Sequence, residues 1–584
     1  MAGTRVGRAV GAGMASPGAE ARPQLARWAA FAAAMLVAAA ILVHFHDRFW
    51  WGPDEGVYAH VAERILQGEV LNGSVQDIHL GYVNFANALA LQLFGRDLVS
   101  LRYPLVALSF IQCALVFWLL AGRGTLAAVS GSVGMASLGF VQYLNPSAHW
   151  YTLFLCTAII ALLSTRWSRR TEGLVLLGFL LVTLVLFRQL TGIFAAMGVM
   201  TFLLLRGERL AQDGQRALLR LLAFVMLAGL TAYLGAKADS VGAALFAGGP
   251  LLLLLYAGMR PHVGNRALCR QVLAMALGGV PAALPLVLYH LYHGTVASWL
   301  DDTVVAALSL TRMDFMEGPR YYGFVLRGLL QVIAADGAAA VLNGVFWFVL
   351  PLLPLILALL LLRALRGGVD RADLALPVVA AFYAPASLHY QIPLYLFFST
   401  PLTLAAILYL AAGRGRLEAV AAGAAVALSA IGLYYQAAQP ISRGWDGIFA
   451  GLRSETMAPA ALPHASLVLP AEEAALYREV LAFISQHSLP GDSILALPTN
   501  PELYFLAERR NPLRDPNVAI GLHSDARLAE VQKILRHDPP RVVLYQPDDK
   551  YVTPRIERLM EDLRGRYRLA ARLGDFEIYL PDAD

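Results

Sequence analysis

Two adjacent carboxylates follow the first strongly apolar segment of the chain, in the stretch Trp50-Trp51-Gly52-Pro53-Asp54-Glu55-Gly56-Val57-Tyr58. Pro53 suits the first turn of a helix, where its missing N–H costs nothing. Asp54 and Glu55 then lie in that turn, near the positive end of the helix dipole. The apolar spacing from Tyr58 onward predicts an amphipathic helix. Acidic residues in a first turn are also common stabilisers, so position alone does not separate catalysis from capping.

The composition places the chain in a membrane. Its 584 residues are 58% hydrophobic and 15% charged, whereas about a quarter of the residues in a soluble protein are charged. The apolar residues recur in runs of about 18–22, the length that crosses a bilayer core. The net charge of +5 does not indicate a nucleic-acid partner, because the basic residues lie in short loops between apolar runs. The sequence therefore predicts a polytopic α-helical membrane protein.

The hydropathy pattern predicts about 13 spans. Residues 1–27 are expected to form a disordered cytoplasmic tail, with a cleaved signal peptide as the alternative for the first apolar run. The transmembrane domain is expected to cover residues 28–436. The predicted spans are Trp28–Phe45, Leu101–Ala121, Leu126–Val141, Trp150–Thr165, Gly173–Phe187, Gly192–Leu205, Leu221–Ala236, Val241–Gly258, Val272–Leu291, Ala339–Leu362, Leu374–Leu388, Pro393–Ala411 and Leu417–Tyr435.

Arginines alternate between the loops in the way that orients membrane proteins. Every second loop contains arginine, from Arg123 through Arg166 and Arg206 to Arg414, while the other short loops contain almost none. Because basic loops stay on the cytoplasmic side, we expect the N-terminus to be cytoplasmic and the C-terminus to lie outside the plasma (inner) membrane.

Two parts of the chain are expected on the outer face. The outer loop 46–100 is too apolar for a linker and predicts two interfacial helices, the second at Tyr82–Phe94 and stopped by Gly95. Residues 437–584 change in composition and predict a small extracytoplasmic α/β domain that acts as a lid, a support or an acceptor-recognition unit. Its predicted helices are Ala471–His487, Ala526–Arg536 and Pro554–Arg564, and its predicted strands are Ser493–Pro498, Val542–Tyr545 and Phe576–Leu580.

Polar residues at the ends of spans fall on the same outer face in this topology. Such residues are costly in lipid and are candidates for function, although each is also explained as a water-facing helix cap. Acids, one arginine and several histidines suit a reaction between a carboxylate base and a phosphate-bearing lipid, with Arg188 holding the phosphate. The residues are Asp54, Glu55, Asp77, His79, Asn145, His149, Trp150, Arg188, Gln189, His389, Tyr390 and Gln391.

The first loop carries a family resemblance. The stretch DEGVYAHVAERILQGEV from Asp54, a helix ending in LFG, and LVSLRYPL from Leu98 resemble the first outer loop of the GT-C glycosyltransferases. The similarity is to the branch with the protein O-mannosyltransferases and the lipid A aminoarabinose transferases. It is specific over residues 28–125 and looser at RQLTG around Arg188 and at HYQIPLY from His389.

The resemblance assigns roles to residues of this loop. It implies that Asp54 is the catalytic carboxylate and Glu55 the second acid, and that Arg102 belongs to the family's Arg-x-Pro motif. The chain departs from the family where relatives carry Lys-Pro-Pro, because the stretch around Asp77 and His79 has neither lysine nor proline. His79 is the candidate that replaces the lysine as a phosphate partner.

Together these features predict a hexosyl- or pentosyltransferase. It moves a sugar from a polyprenyl-phosphate-linked donor to a lipid, glycan or protein acceptor of the cell envelope, with inversion and with Asp54 as general base. No cofactor is predicted; a divalent metal held by Glu55 and Asp77 is conceivable but not expected. A flippase for lipid-linked sugars and a non-catalytic assembly protein are the alternatives. The expected substrate-binding residues are Glu55, Tyr58, Asp77, His79, Arg102, Arg188, His389 and Tyr390.

Overall fold

The chain is mainly helical up to residue 438. The computed structural model describes residues 17–206, 216–260, 264–310, 320–335, 337–438 and 456–582. The helices of this part are α1 (Pro17–Phe45), α2 (Gly52–Leu66), α3 (Tyr82–Phe94), α4 (Tyr103–Ala121), α5 (Thr125–Leu138), α6 (Ala148–Leu163), α7 (Thr171–Phe187), α8 (Gln189–Arg206), α9 (Ala217–Lys237), α10 (Ser240–Met259), α11 (Asn265–Tyr292), α12 (Val296–Leu300), α13 (Ala307–Leu310), α14 (Tyr321–Ile333), α15 (Ala338–Val349), α16 (Leu353–Arg366), α17 (Ala375–Tyr383), α18 (Pro393–Phe397), α19 (Thr400–Ala411) and α20 (Arg416–Ala438).

Nine helical segments within the described ranges are long and apolar enough to cross a membrane. They coincide with nine of the predicted spans, and the full count of about 13 stays a prediction. The other four predicted spans are shorter helices here. Among them α6 has 16 residues and α7 has 17, about 24–26 Å at 1.5 Å per residue. Helix α6 begins, and α7 ends, at a polar turn that borders the cavity described below.

The N-terminal tail differs from its prediction. Helix α1 begins at Pro17, before the expected start at Trp28, so residues 17–27 are helical rather than disordered. The rest of the predicted tail, residues 1–16, lies outside the described residues.

Two contacts between loops indicate that the arginine-rich loops lie at the same end of the helix bundle. Arg123 donates to Asp373 at 2.7 Å, and Arg206 donates to Ser168 at 2.8 Å. Each contact joins two loops that the alternation assigns to the cytoplasmic side. Which end of the bundle faces the cytoplasm stays a prediction.

The first outer loop contains the two predicted helices. Helix α3 has the predicted bounds Tyr82–Phe94, and its apolar residues Leu89, Leu93 and Phe94 are exposed, as on a helix that faces lipid. Helix α2 departs from the expected surface position, because residues from Gly52 to Arg64 are buried on most sides. It is covered by helix α22 (Glu502–Ala507) of the C-terminal part, with which it shares an apolar core.

The C-terminal part forms a four-stranded sheet with helices. Strand β3 pairs with β4 in parallel, across a connection that contains α24; β6 pairs antiparallel with β4 and with β5. The predicted strands and helices of this part are confirmed to within a residue or two at each end. Its elements are β1 (Met457–Pro459), β2 (Val468–Pro470), α21 (Ala471–His487), β3 (Ile494–Leu497), α22 (Glu502–Ala507), α23 (Val518–Gly521), α24 (Asp525–His537), β4 (Val542–Tyr545), α25 (Pro554–Arg564), β5 (Tyr567–Leu573) and β6 (Phe576–Pro581).

One glycine shows how closely the C-terminal part is docked. A methyl group on Gly56 of α2 would lie 2.1 Å from the backbone nitrogen of Glu502 and 2.6 Å from its Cα. Only glycine leaves room for this approach, so the backbone of α22 rests directly on α2. The helix that carries Asp54 is thus in close backbone contact with the C-terminal part.

Candidate active site

A cavity of about 700 Å³ lies between α2, the ends of several helices of the bundle and the C-terminal part. Its volume is in the range of small-molecule sites. Polar and charged side chains share it with an apolar wall. The polar and aromatic lining residues are Trp51, Asp54, Tyr58, Gln76, Asp77, His79, Tyr143, Asn145, Ser147, His149, Arg188, Gln189, Tyr233, Lys237, His389, Tyr390, Tyr395, Phe398, Asn517, Lys550 and Tyr551.

Asp54 occupies the first turn of α2, as predicted, and lines this cavity. Tyr143, in the turn before α6, donates its hydroxyl hydrogen to the Asp54 carboxylate. Burial raises the pKa of Asp54, while the Tyr143 hydrogen bond and the charges of Lys550 and His79 lower it. Desolvation thus opposes the helix dipole, which favours the anion.

Asp77 and His79 form a hydrogen-bonded pair in the loop between α2 and α3. Asp77 Oδ1 accepts from the His79 backbone N–H at 2.5 Å and lies 2.7 Å from His79 Nδ1. We assign the imidazole proton to Nδ1, since the carboxylate must accept it. The His79 ring then directs Nε2 away from Asp77, and its centroid lies 6.0 Å from that of Tyr58.

Arg188 lies in the break between α7 and α8, where the backbone is extended with φ of −155°. Its guanidinium donates to His149 Nδ1 at 2.5 Å and to Thr191 Oγ1 at 3.3 Å. It also lies 5.9 Å from the centre of the Tyr395 ring. These neighbours orient the buried guanidinium toward the cavity without pairing it with a carboxylate among the described residues.

The turn between α17 and α18 supplies His389 and Tyr390, which also line the cavity. Burial and the positive charges of Arg188 and Lys237 hold the pKa of His389 down, at about 3. His389 is therefore a neutral hydrogen-bonding group at neutral pH rather than a cation. Of the nine residues predicted to act on substrates, the structure brings seven together in the cavity: Asp54, Tyr58, Asp77, His79, Arg188, His389 and Tyr390.

Glu55 and Arg102 do not belong to this set. Both side chains are fully buried, and neither lines the cavity. Arg102 donates to Glu55 Oε1 at 2.7 Å and to the backbone carbonyls of His46, Arg48 and Phe49. Their predicted contact with the substrate stays a prediction; in this structure Arg102 instead fixes the chain that leads into α2.

Lys550 and Tyr551 were not predicted from the sequence as site residues. They follow β4 in the C-terminal part and line the cavity beside Asp54. A signal existed, because the chain has only three lysines: Lys237, Lys533 and Lys550. Two of them line the cavity. Strand β4 ends at Tyr545, but only the docking of this part on α2 shows that the loop after it reaches Asp54.

Acidic and histidine side chains do not form a metal-binding group in the described part of the chain. No cluster of three or more His, Cys, Asp or Glu residues with suitable placement occurs there. Asp77 is held by His79, and Glu55 is paired with Arg102, so neither acid adds to a ligand set around Asp54.

No family model and no curated protein matches the chain. Solved structures show a distant likeness. The archaeal oligosaccharyltransferase AglB from Archaeoglobus fulgidus, in complex with an inhibitory peptide and a dolichol-phosphate, is 14% identical with a TM-score of 0.40, over 90% of this chain and 70% of that chain. ArnT from Cupriavidus metallidurans bound to undecaprenyl phosphate is 14% identical with a TM-score of 0.40, over 97% and 98%.

ArnT from Cupriavidus metallidurans in the apo state is 15% identical with a TM-score of 0.41, over 96% of this chain and 98% of that chain. These neighbours are GT-C glycosyltransferases, the class that the first outer loop resembles. The likeness is distant and by itself does not indicate the function of this chain.

Proposed function

We propose that this protein is a membrane glycosyltransferase that moves a sugar from a polyprenyl-phosphate-linked donor to an acceptor of the cell envelope. The observation that carries the proposal is one cavity in which the partly buried Asp54 carboxylate and the buried Arg188 guanidinium meet an apolar wall. A carboxylate can take the acceptor proton, an arginine can bind a phosphate, and an apolar wall suits a lipid.

The apolar wall is open toward the outside of the helix bundle. It includes Leu190 and Ile193 of α8 and Leu308 of α13. Ile193 is 53% exposed and Leu308 is 62% exposed. In a membrane these side chains would contact acyl chains, so a polyprenyl tail can lie against them while its phosphate reaches Arg188, the first residue before α8.

The proposed reaction is a direct displacement. The oxygen of an acceptor hydroxyl attacks the anomeric carbon, and its proton passes to the Asp54 carboxylate. The bond from the anomeric carbon to the phosphate oxygen breaks, and the polyprenyl phosphate leaves with the electron pair. General-base help of this kind is worth about 10²–10⁴-fold. Arg188 stabilises the negative charge on the leaving phosphate, and a single displacement inverts the anomeric centre.

Other residues that line the cavity would bind the substrates. His79, oriented by Asp77, is a donor or acceptor at the cavity surface and would contact the donor phosphate or the sugar. Tyr58, Tyr390 and the neutral His389 would hydrogen-bond the sugar hydroxyls. Asn517 and Lys550, from the C-terminal part, line the side on which that part covers the cavity, so we place the acceptor there.

The orientation follows from the arginine alternation. We propose that the N-terminus is cytoplasmic and that the cavity opens on the outer face of the plasma membrane. Nucleotide sugars are not available on that face, which explains the use of a lipid-borne donor. The sugar itself, hexose or pentose, is not specified by these residues.

A flippase for lipid-linked sugars is the second candidate. Transporters of many folds show repeated halves and sites near the membrane midplane. This chain shows no internal repeat, and the charged residues that line its cavity lie at one end of the bundle. A carboxylate in the same cavity as the phosphate-binding arginine has a direct use in transfer and none in passive translocation, which favours the transferase. A non-catalytic assembly protein is the third candidate, and it too gives Asp54 no use.

The test compares cell envelopes. Mass spectrometry of envelope glycans and lipids from cells that carry the protein, lack it, or carry Asp54→Asn should reveal one sugar modification present only with the parent protein. A modification that persists with Asp54→Asn would contradict catalysis by this residue, and an unchanged envelope in cells lacking the protein would contradict the proposed function. A flippase would show its lipid-linked sugar accumulating on the cytoplasmic side when the protein is absent.

A further inference from the structure

We infer that Lys550 is a positioning residue for Asp54: its ammonium group, held in a cage formed by the rings of Trp51, Tyr390 and Tyr551, lines the same cavity as Asp54 and keeps that carboxylate anionic. This inference rests on the proposed function, in which Asp54 is the base. It gives the C-terminal part a direct role in the reaction rather than that of a cover alone.

The cage is built from three separate segments. Lys550 Nζ lies 4.9 Å from the ring centre of Tyr551, 5.7 Å from that of Trp51 and 6.0 Å from that of Tyr390. Each distance is within the range of cation–π attraction. Trp51 immediately precedes α2, and Tyr390 lies in the turn before α18. The ammonium group is therefore fixed relative to both walls of the cavity.

The residue type fits an electrostatic role. The chain uses arginine almost throughout, since 43 of its 46 basic residues are arginines and three are lysines. Lysine presents a compact charge on a flexible stem, whereas arginine presents a planar fork suited to carboxylate or phosphate. A compact charge over aromatic rings can act on Asp54 through space without taking its oxygens in a bidentate pair.

The positive charge of Lys550 offsets part of the effect of burial on Asp54. Burial raises the pKa of Asp54, and the Lys550 charge is second only to the Tyr143 hydrogen bond among the influences that lower it. Lys550 also acts on the neighbouring Asp549. The other groups that interact electrostatically with Asp54 are His79, Glu55, Tyr58, Tyr143, Tyr390, Tyr395 and Tyr551.

Among those groups, His79 is the other source of positive charge, and only when it is protonated. The tyrosines are neutral at physiological pH, and Glu55 adds negative charge that disfavours a second anion. Without Lys550, the pKa of Asp54 would therefore be raised further, which disfavours the anion that accepts the acceptor's proton.

A different role for Lys550 makes different predictions. If Lys550 bound the donor phosphate or an anionic acceptor, its removal would raise KM for that substrate and leave the ionisation of Asp54 unchanged. If it were only a structural contact, its removal would lower the melting temperature and leave the pH profile unchanged.

The experiment measures the ionisation of Asp54 with and without turnover. Full-length protein in detergent is labelled between pH 4 and 9 with dicyclohexylcarbodiimide, which reacts with the protonated carboxyl group, and the Asp54 peptide is quantified by mass spectrometry. The variants are Lys550→Met, Lys550→Gln and Lys550→Arg. Lys533→Met is the matched control, since Lys533 is exposed on α24. The acid limb of kcat/KM is recorded in parallel.

We expect Lys550→Met and Lys550→Gln to move the midpoint of labelling and the acid limb upward by at least about one pH unit, the smaller end of the effect of a nearby opposite charge. Lys550→Arg and Lys533→Met should follow the parent. An unmoved labelling midpoint would overturn the inference even if transfer were lost, and so would failure of both neutral variants to fold. Because labelling needs no turnover, it still decides the role of Lys550 if the proposed transferase activity is absent.

Discussion

The Arg102 guanidinium donates a hydrogen bond of 2.7 Å to Glu55 Oε1, and both side chains are fully buried. Successive residues of a helix point about 100° apart, at 3.6 residues per turn. Asp54 therefore faces the cavity while Glu55 faces Arg102. The pair sets the rotation of α2 and, with it, the direction of the acid proposed as base.

Removal of Arg102 should be costly to stability. Arg102→Met leaves the Glu55 carboxyl buried without its partner, and breaking a buried ion pair in this way costs about 3–5 kcal/mol. The double variant Arg102→Met/Glu55→Gln should recover part of the loss, because the unpaired charge is gone. Thermal melts in detergent measure both. A melting temperature of Arg102→Met equal to that of the parent would contradict the structural role of the pair.

Glu502 should make stability depend on pH. It is buried against α2 and accepts a hydrogen bond from Tyr477 at 2.9 Å, while its other oxygen lacks a hydrogen bond. Burial raises its pKa from 4.5 to about 8. The folded protein therefore binds a proton that the unfolded chain releases above its ordinary pKa, so this contribution is present below pH 4.5 and is lost as pH rises to about 8.

Glu502→Gln should remove this dependence. We expect the melting temperature of the parent to fall between pH 5 and 8 more steeply than that of Glu502→Gln, and the variant to be the more stable of the two at pH 8. Glu561→Gln is the matched control, because Glu561 is exposed on α25. Parallel curves for the parent and Glu502→Gln would contradict the raised pKa.

Arg188 should act on the donor. Hydrogen bonds to charged groups contribute about 1.5–3 kcal/mol, so Arg188→Ala should reduce kcat/KM for a polyprenyl-phosphate sugar by about 10- to 100-fold. Arg188→Lys keeps the charge and loses the fork, and we expect an intermediate loss. Steady-state kinetics with a synthetic donor test this, with a melt to confirm folding. Unchanged kinetics in Arg188→Ala would show that the phosphate binds elsewhere.

Much of the fold could be predicted because long helices and alternating strands leave periodic signals. The bounds of α3, α21, β4 and α25 match their predictions. Helix α14 was not predicted, because its 13 residues are too few for a span and it contains Arg327. The burial of α2 was also missed, since it depends on α22, more than 400 residues further along the chain.

The candidate site was predictable where its residues lie at the ends of apolar runs. Asp54, Arg188 and His389 stand out against their neighbours, and the arginine alternation puts them at one end of the bundle. The direction of a side chain around its helix was not predictable, so Glu55 was assigned to the substrate along with Asp54. Lys550 was missed because a docked loop leaves no periodic signal.

Asp54→Asn tests the central claim most directly. The amide keeps the size of the side chain and can still accept the Tyr143 hydrogen bond. Because it also replaces a partly buried carboxylate with a neutral group, the melting temperature should stay equal or rise slightly. The control is Asp575→Asn, in the exposed turn between β5 and β6, which should behave like the parent in both assays.

The decisive measurement is the rate of sugar transfer by purified parent and Asp54→Asn protein from polyprenyl-phosphate-linked hexose and pentose donors to an envelope extract. The account predicts that folded Asp54→Asn transfers sugar at least about a hundredfold more slowly than the parent, the lower end of the contribution of a general base. Transfer by Asp54→Asn at the parent rate would contradict the assignment of Asp54 as the base and, with it, the proposed mechanism.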